Sequence, residues 1–170
     1  MLHKYPSEAI VLARTPVAEE SVLLTLLTRE VGRVRAHAQG IRKPGAKLAS
    51  ALQTLCESDV TLVAGKDGWR MSGALLRDDW FGALSRDARI RAGRVASLLL
   101  RLVHGESPDA AIFDSFKAYL EALRAYPETF YDAAECLAAL RLLSLLGLDA
   151  GEVPGTPDAL FAPESLTSVT

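Results

Sequence analysis

Residues 29–47 have the sequence REVGRVRAHAQGIRKPGAK, and their pattern is the starting point for predicting the fold. In the first half of this stretch, Arg33, Arg35, His37 and Gln39 alternate with small apolar residues. A period of two residues is typical of a half-buried β-strand, because successive side chains point to opposite faces. The pattern therefore predicts a strand that has one basic face and one buried face.

The second half of the stretch, residues 40–47, has the composition of a loop, with Pro44 at its centre. Arg42, Lys43 and Lys47 carry positive charge there. The whole stretch contains six cations and one anion, a net charge of +5, whereas the entire chain is −2 and the remainder is therefore −7. A localised positive surface on a slightly acidic protein is typical of a site that binds polyphosphate.

The basic stretch is our candidate for a nucleic-acid-binding site. Alternate residues of a strand lie about 6.6 Å apart, so arginines two positions apart can engage successive phosphates of a single strand. The alternative is a solvated face whose cations pair with acids elsewhere in the chain, and the net charge of the remainder also allows this. Proteins that bind single strands usually add aromatic rings for base stacking, and this stretch has none. The candidate site residues are Arg33, Arg35, His37, Arg42, Lys43 and Lys47.

Composition limits the class of protein. A chain of 170 residues with 49% apolar residues can form one domain or two small ones, and a pI near 5.9 excludes a general affinity for nucleic acid. Cys56 and Cys136 form no C-x-x-C pair, and we expect two buried thiols in a reducing compartment. The N-terminus lacks the apolar core of a signal peptide, and no apolar run approaches the roughly 18 residues of a membrane span. We therefore expect a soluble, cytoplasmic protein.

Strand signals flank the basic stretch on both sides. Glycine-containing turns separate short segments rich in β-branched and leucine residues, and glycine 32 ends the turn before the basic strand. Five short strands with turn-rich joints predict a small closed or nearly closed barrel, although periodicity does not distinguish an OB barrel from an SH3-like one. The predicted strands are residues 8–15, 21–28, 32–39, 56–63 and 69–76.

The hydrophobic period becomes helical after residue 80. Ser85 is predicted to cap a helix that ends at Gly105. A second helix is predicted to start at Ser107-Pro108-Asp109, with a cap, a proline at the first helical position and an acid in the first turn, and to end before Pro127. A third is predicted at about residues 129–146. Three amphipathic helices joined by short loops predict a small antiparallel bundle.

These patterns predict a two-domain protein of the β + α class. A five-stranded barrel is expected at residues 1–80 and a helical domain at residues 81–150. Residues 151–170 are rich in proline, glycine, serine and threonine, which predicts an irregular C-terminal tail.

No catalytic motif is found in the sequence. It contains no G-x-S-x-G, no P-loop, no H-E-x-x-H and no G-x-G-x-x-G. The histidines at positions 3, 37 and 104 are not near a recognisable nucleophile and do not have metal-ligand spacing. We therefore predict a protein that is not an enzyme and has no catalytic residues, no metal site and no cofactor.

Several segments together resemble the RecO family of bacterial recombination mediators. The likeness covers about residues 1–150, and it combines a strand, a hairpin, the basic strand with its loop, and a later leucine-glycine motif. The segments that carry it are EAIVL at 8–12, ESVLLTLLTREVGR at 20–33, AQGIRKP at 38–44, ALQ at 51–53 and LRLLSLLG at 140–147.

The resemblance implies an N-terminal OB fold followed by a helical domain. It implies binding of single- and double-stranded DNA, annealing of complementary strands, and cooperation with RecR in loading recombinase onto DNA coated by single-strand-binding protein. It also implies docking of the acidic C-terminal tail of that protein on the helical domain, for which Arg141 is the candidate residue. The family's DNA-contacting positions correspond to Arg33, Arg35, Arg42 and Lys43, with Lys47 as an addition.

Two features depart from the family pattern. Many relatives have a four-cysteine zinc module after the leucine-glycine motif, whereas this chain has GEVPGTP at 151–157, so zinc is not expected. The family usually continues with further helices, whereas this sequence stops at Thr170, which predicts a compact version or a fragment. Two other functions stay open from the residues alone: a protein-interaction adaptor whose barrel binds another protein, and an RNA-binding barrel.

Overall fold

The computed structural model describes residues 3–17, 19–41 and 48–148 of the chain. The described residues form two compact units. A barrel unit contains those up to Gly82 together with Gly105–Asp109, and a helical unit contains the others. The five strands are β1 (Lys4–Pro16), β2 (Val22–Thr28), β3 (Gly32–Ala38), β4 (Cys56–Gly65) and β5 (Gly68–Asp79).

The five strands form a closed barrel in the order β1-β2-β3-β5-β4, and β4 pairs with β1 to close it. Every neighbouring pair is antiparallel except β3 and β5, which run parallel, with Ala36 opposite Trp69 and His37 opposite Arg70. This five-stranded closed arrangement is OB-like. It decides between the two barrel types that periodicity left open.

The inner side of the barrel is formed by the apolar half of each strand. In β3 the alternation predicted from the sequence is confirmed, because Val34, Ala36 and Ala38 are buried between more exposed polar residues. Both β1 and β5 are longer than predicted, since each continues its pairing with β4 beyond the apolar segment. The buried core includes Ala9, Val11, Val22, Leu24, Leu26, Val34, Ala36, Ala38, Leu52, Val60, Leu62 and Trp69.

The turn between β2 and β3 depends on a glycine, as predicted. The Thr28 hydroxyl donates to the Gly32 carbonyl at 2.7 Å and accepts from the Val31 N–H at 3.2 Å. Gly32 has φ +91°, which L side chains rarely adopt, and an added Cβ would lie 2.5 Å from the Ser107 carbonyl oxygen. Position 32 therefore requires glycine both for its conformation and for the close approach of another segment.

The helix start predicted at Ser107-Pro108-Asp109 is wrong. The helix begins at Ala110, and residues 105–109 belong to the barrel unit instead. Two contacts explain the difference: the Trp69 indole N–H donates to the Glu106 carboxylate at 2.6 Å, and the Ser107 backbone lies against Gly32. These tertiary contacts override the local capping signal.

The helical segments after the barrel follow the predicted order. The Ser85 cap is confirmed, because its side chain accepts from the Ala88 N–H at 3.2 Å. A short helix directly after β5 was not predicted, and the Asp79 carboxylate caps it by accepting from the Gly82 N–H at 2.9 Å. The helices are α1 (Trp80–Ala83), α2 (Arg86–Leu102), α3 (Ala110–Ala125) and α4 (Tyr131–Leu145), with a 3-10 turn at Glu128–Phe130.

Within the helical unit, α2, α3 and α4 contact one another in pairs. Arg91 of α2 forms ion pairs with Asp132 and Glu135 of α4, at 2.5 and 3.0 Å, which join those two helices. Ile90 of α2 and Leu140 of α4 are exposed. The buried residues of α2 are Val95 and Leu99 together with the alanines at 88, 92 and 96. The antiparallel order of the bundle stays a prediction.

The two cysteines differ in environment. Cys56 is buried in the barrel unit, and burial together with the nearby Asp79 carboxylate raises the pKa of its thiol. Cys136 is exposed on α4, so the expectation of two buried thiols is wrong for this residue. The irregular tail predicted at residues 151–170 lies outside the described residues.

Candidate nucleic-acid interface

The outer face of β3 carries the basic residues singled out from the sequence. Arg35 and His37 are exposed, and Arg33 is half-buried and already interacts with other groups. Because side chains alternate along a strand, the three residues share one face, opposite the buried Val34 and Ala36. The structure thus places these three candidates together on the outside of the barrel.

Glu30, the single acid of the basic stretch, does not lie against these residues. Its carboxylate accepts from the Ser7 hydroxyl and from the Glu8 N–H, the latter at 3.1 Å, and is therefore held by β1. Arg29 pairs with the Glu8 carboxylate at 3.6 Å. The first cation of the stretch is thus neutralised by an acid that is distant in sequence.

Arg29 belongs to a group of ion-paired residues, Glu8, Arg29, Asp59 and Arg77, which we call the paired cluster. Arg77 donates to Asp59 at 2.8 Å and to Glu8 at 2.7 Å. The hydrogen bond to Asp59 is the main reason that the pKa of the Arg77 guanidinium is raised. Two cations and two anions leave this cluster with no net charge.

Arg70 is a candidate residue that the sequence reasoning missed. The parallel register of β3 and β5 places it next to His37, and its side chain is exposed. We call Arg35, His37 and Arg70 the open cluster. Within the part of the chain that the structure describes, none of these three side chains has a hydrogen bond or an ion pair. In the sequence, Arg70 stands out only by following Trp69 in a predicted strand.

A concavity of about 360 Å³ lies beside the open cluster. Its lining includes His37 and Gln39 from the end of β3, together with Asp67, Gly68 and Arg70 from the β4–β5 turn and the start of β5. OB folds bind oligonucleotides on the face of strands 2 and 3 and on the loops that join strands 1–2 and 4–5. The open cluster and the concavity therefore lie in the region that OB folds use for nucleic acid.

The other predicted site residues are not part of this geometry. Arg42, Lys43 and Lys47 lie outside the described residues. Arg141 is on α4 in the helical unit, is partly buried and has an interaction partner. Its role in binding a partner stays a prediction.

Neither a metal-binding cluster nor a membrane-spanning helix is found in the part of the chain that the structure describes. No group of three or more His, Cys, Asp or Glu side chains in residues 3–17, 19–41 and 48–148 is arranged to hold a metal ion. No helix in the same ranges has the length and apolar character needed to cross a bilayer.

A closed five-stranded barrel with basic residues on the outer face of β3, followed by helices, defines an OB-fold protein with a candidate nucleic-acid surface. Residues 1–73 match the family described as Recombination protein O N terminal. The chain belongs to the RecO family.

Curated relatives extend this match beyond the barrel. The DNA repair protein RecO of Heliobacterium modesticaldum is 36% identical over 156 residues, covering 87% of this chain and 56% of that protein. The DNA repair protein RecO of Frankia casuarinae is 30% identical over 156 residues, covering 78% of this chain and 64% of the relative. The DNA repair protein RecO of a Cyanothece species is 28% identical over 149 residues, covering 87% of this chain and 51% of that protein. The chain thus spans about half to two-thirds of the length of these relatives.

Proposed function

We propose that this chain is a DNA-binding recombination mediator without catalytic activity of its own, acting in the cytoplasm. It binds single- and double-stranded DNA, promotes annealing of complementary strands, and helps to load recombinase onto DNA coated by single-strand-binding protein. The observation that carries the proposal is the open cluster, whose cations are exposed and have no acidic partner among the described residues. Membership of a family whose relatives are named as DNA repair proteins supports the same role.

Electrostatics explains how this surface would act on DNA. Arg35 and His37 are two residues apart on one strand, about 6.6 Å, and Arg70 extends the cationic surface onto the neighbouring strand. Cations that contact phosphates release condensed counterions, so the affinity falls steeply as salt rises. The same countercharge lowers the repulsion between two complementary strands, which favours annealing.

Base stacking is expected to contribute little to the affinity for DNA. Trp69, the large ring nearest to Arg70 in sequence, is buried, and Tyr5 packs edge-on against it with ring centroids 5.1 Å apart. Neither ring lines the concavity. Affinity would therefore come mainly from phosphate contacts, which tolerate many sequences.

The helical unit is proposed to recruit partners, namely RecR and the acidic C-terminal tail of single-strand-binding protein. Arg141 is the candidate contact for the tail, because a guanidinium pairs well with a carboxylate. Titration of a labelled acidic, apolar peptide into the chain tests this role. Arg141→Ala should weaken peptide binding several-fold and leave DNA binding unchanged; equal peptide binding by both proteins would exclude Arg141.

The DNA-binding role is tested by fluorescence anisotropy with labelled single- and double-stranded oligonucleotides, combined with a strand-annealing assay. The wild-type chain should bind both DNA forms at low salt and accelerate annealing, and Arg35→Ala should weaken both activities. Competition by matched RNA tests the choice of nucleic acid. Negligible binding of any oligonucleotide at low salt would contradict the proposal and favour an adaptor whose barrel binds protein.

A further inference from the structure

Four polar side chains, those of His37, Gln39, Asp67 and Arg70, line one concavity at the end of β3. Within residues 3–17, 19–41 and 48–148, none of them has a hydrogen bond or an ion pair, and Asp67 and Arg70 share the concavity without pairing with each other. A cation and a carboxylate that stay apart in one depression leave both groups available to a ligand. We propose that this concavity holds one unstacked base of single-stranded DNA, with a preference for guanine, an inference that rests on the proposed function.

The carboxylate of Asp67 distinguishes a base from a phosphate as the occupant. A phosphodiester is negatively charged, so a neighbouring carboxylate disfavours it, whereas Arg35 has no acidic partner among the described residues. The backbone of the strand would therefore lie along Arg35 and His37. The adjacent base would turn into the concavity, where a hydrogen-bond acceptor is useful.

Guanine matches the two charged groups of the concavity best. An arginine can donate two hydrogen bonds to guanine O6 and N7, the commonest base-specific contact of this side chain. A carboxylate can accept from the N1–H and the 2-amino group on the Watson–Crick edge. Arg70 and Asp67 supply these groups from positions three residues apart. Thymine offers two carbonyl acceptors and only one N–H on the same edges, so it satisfies Asp67 less well.

The Watson–Crick edge is occupied in a duplex, so only an unpaired base can use this site. Enzymes that read an extruded base do so through that same edge. The site would thus give the barrel a contact with single strands that double-stranded DNA cannot make. Bases protected in this way would be released when a complementary strand pairs with them.

The local backbone suits an exposed recognition turn. Lys66 and Asp67 form the turn between β4 and β5. Gly68 follows with φ +100°, and its Cβ position has no atom within 4 Å. Asp67 is itself exposed, so the turn presents its carboxylate to solvent. Gln39 adds an amide to the same lining, with both a donor and an acceptor.

The expected preference is modest, because no aromatic ring among the described residues lines the concavity to stack on a base. A good bidentate contact discriminates between bases by a factor of about 5 or more. We therefore expect about fivefold tighter binding of a guanine-containing strand, superimposed on a general affinity for phosphates.

The experiment compares labelled single-stranded oligonucleotides of about 12 nucleotides, within the site size of an OB fold. The full chain is titrated at one salt concentration with an all-thymine strand, an alternating guanine–thymine strand and an alternating hypoxanthine–thymine strand. Hypoxanthine lacks the 2-amino group, so its strand should bind with intermediate affinity. Equal affinities of the wild-type chain for all three strands would overturn the base site.

One variant separates the base site from a phosphate site. Asp67→Asn should reduce the preference for guanine over hypoxanthine, because an amide oxygen accepts more weakly than a carboxylate, and should keep the fold, since asparagine is accepted in turns. If the concavity held a phosphate, the same variant would bind all three strands more tightly by one common factor and leave their relative affinities unchanged, which would contradict the proposal. A matched thermal unfolding curve checks that the variant is folded.

Arg35→Ala is the control for the function as a whole. It should weaken binding of all three strands by the same factor and leave the guanine preference in place. If the wild-type chain binds all strands equally and Arg35→Ala weakens that binding, the base site is wrong and the DNA-binding function stands. If no strand binds at low salt, both are wrong.

Discussion

The paired cluster and the open cluster lie on the outer side of the same barrel and differ in what their arginines do. Arg29 and Arg77 are each within 4 Å of a carboxylate, at 3.6 Å and 2.7 Å from Glu8. Arg35 and Arg70 have no such partner among the described residues. Arginines of equal charge in one domain thus serve as structural ion pairs in one place and as exposed cations in another.

Strand register accounts for the difference. Glu8 of β1 lies directly opposite Asp59 of β4, so two carboxylates meet and require cations nearby. Opposite Arg35 and His37, β2 presents Thr25 and Leu23, which offer no charge. Cross-strand neighbours, rather than the number of charges in a segment, therefore decide which cations are available to a ligand.

The barrel beneath both clusters should depend most strongly on Gly32. Gly32→Ala places a Cβ 2.5 Å from the Ser107 carbonyl oxygen at a residue with φ +91°. We expect the free energy of unfolding to fall by about 3 kcal/mol, from backbone strain and overpacking together. Urea denaturation measures this loss.

Gly68→Ala is the matched control, because φ is +100° there but no atom lies within 4 Å of the Cβ position. It should cost about 1 kcal/mol, from strain alone. Equal losses in the two variants would mean that residues 105–109 do not pack against β3 as described.

The second largest effect is expected in the open cluster. Arg35→Glu replaces an exposed cation with an anion on the outer face of β3. Affinity for single-stranded DNA should fall by more than about tenfold at low salt, because a phosphate attraction becomes a repulsion. Stability should hardly change, since surface substitutions rarely exceed about 0.5 kcal/mol. Anisotropy titration and thermal unfolding measure the two quantities, and unchanged affinity would remove Arg35 from the site.

A smaller effect is expected in the paired cluster. Arg77→Ala leaves Glu8 and Asp59 side by side with one cation fewer, so the thermal midpoint should decrease slightly, and less so at high salt. DNA affinity should stay within about twofold of wild type, because the lost cation was already neutralised. A loss of affinity as large as that of Arg35→Ala would show that the two clusters do not differ.

The substitutions should have the smallest effect on thiol labelling, which tests whether the variants keep the folded barrel. Cys136 is exposed and should react with a maleimide in the folded chain, whereas Cys56 is buried and has a raised thiol pKa. Since the thiolate is the reactive form, Cys56 should react only on unfolding. Arg35→Glu and Arg77→Ala should leave this pattern unchanged, and labelling of Cys56 in either would attribute its effect to loss of the fold.

The sequence predicted the strands, the Gly32 turn and the Ser85 cap because each follows from local chemistry. The alternation of Arg33, Arg35 and His37 was enough to place these residues on one face of β3. The number of strands and the closed barrel followed from turn spacing. These features need no knowledge of distant parts of the chain.

The sequence failed where distant segments decide the outcome. Ser107-Pro108-Asp109 has a strong capping pattern. Nevertheless, the contacts of Glu106 with Trp69 and of Ser107 with Gly32 keep this segment in the barrel unit. Arg70 joins His37 only through the parallel pairing of strands more than 30 residues apart. Neither arrangement can be inferred from the sequence close to these residues.

We expect DNA phosphates to contact Arg35 of the open cluster and not the arginines of the paired cluster. The most direct measurement is the salt dependence of single-strand affinity for two variants, Arg35→Ala and Arg77→Ala. The first should reduce the slope of log affinity against log salt by about 0.7, the value for one phosphate contact, and the second should leave the slope unchanged. Equal slopes for the two variants, or an unchanged slope in the first, would contradict this expectation.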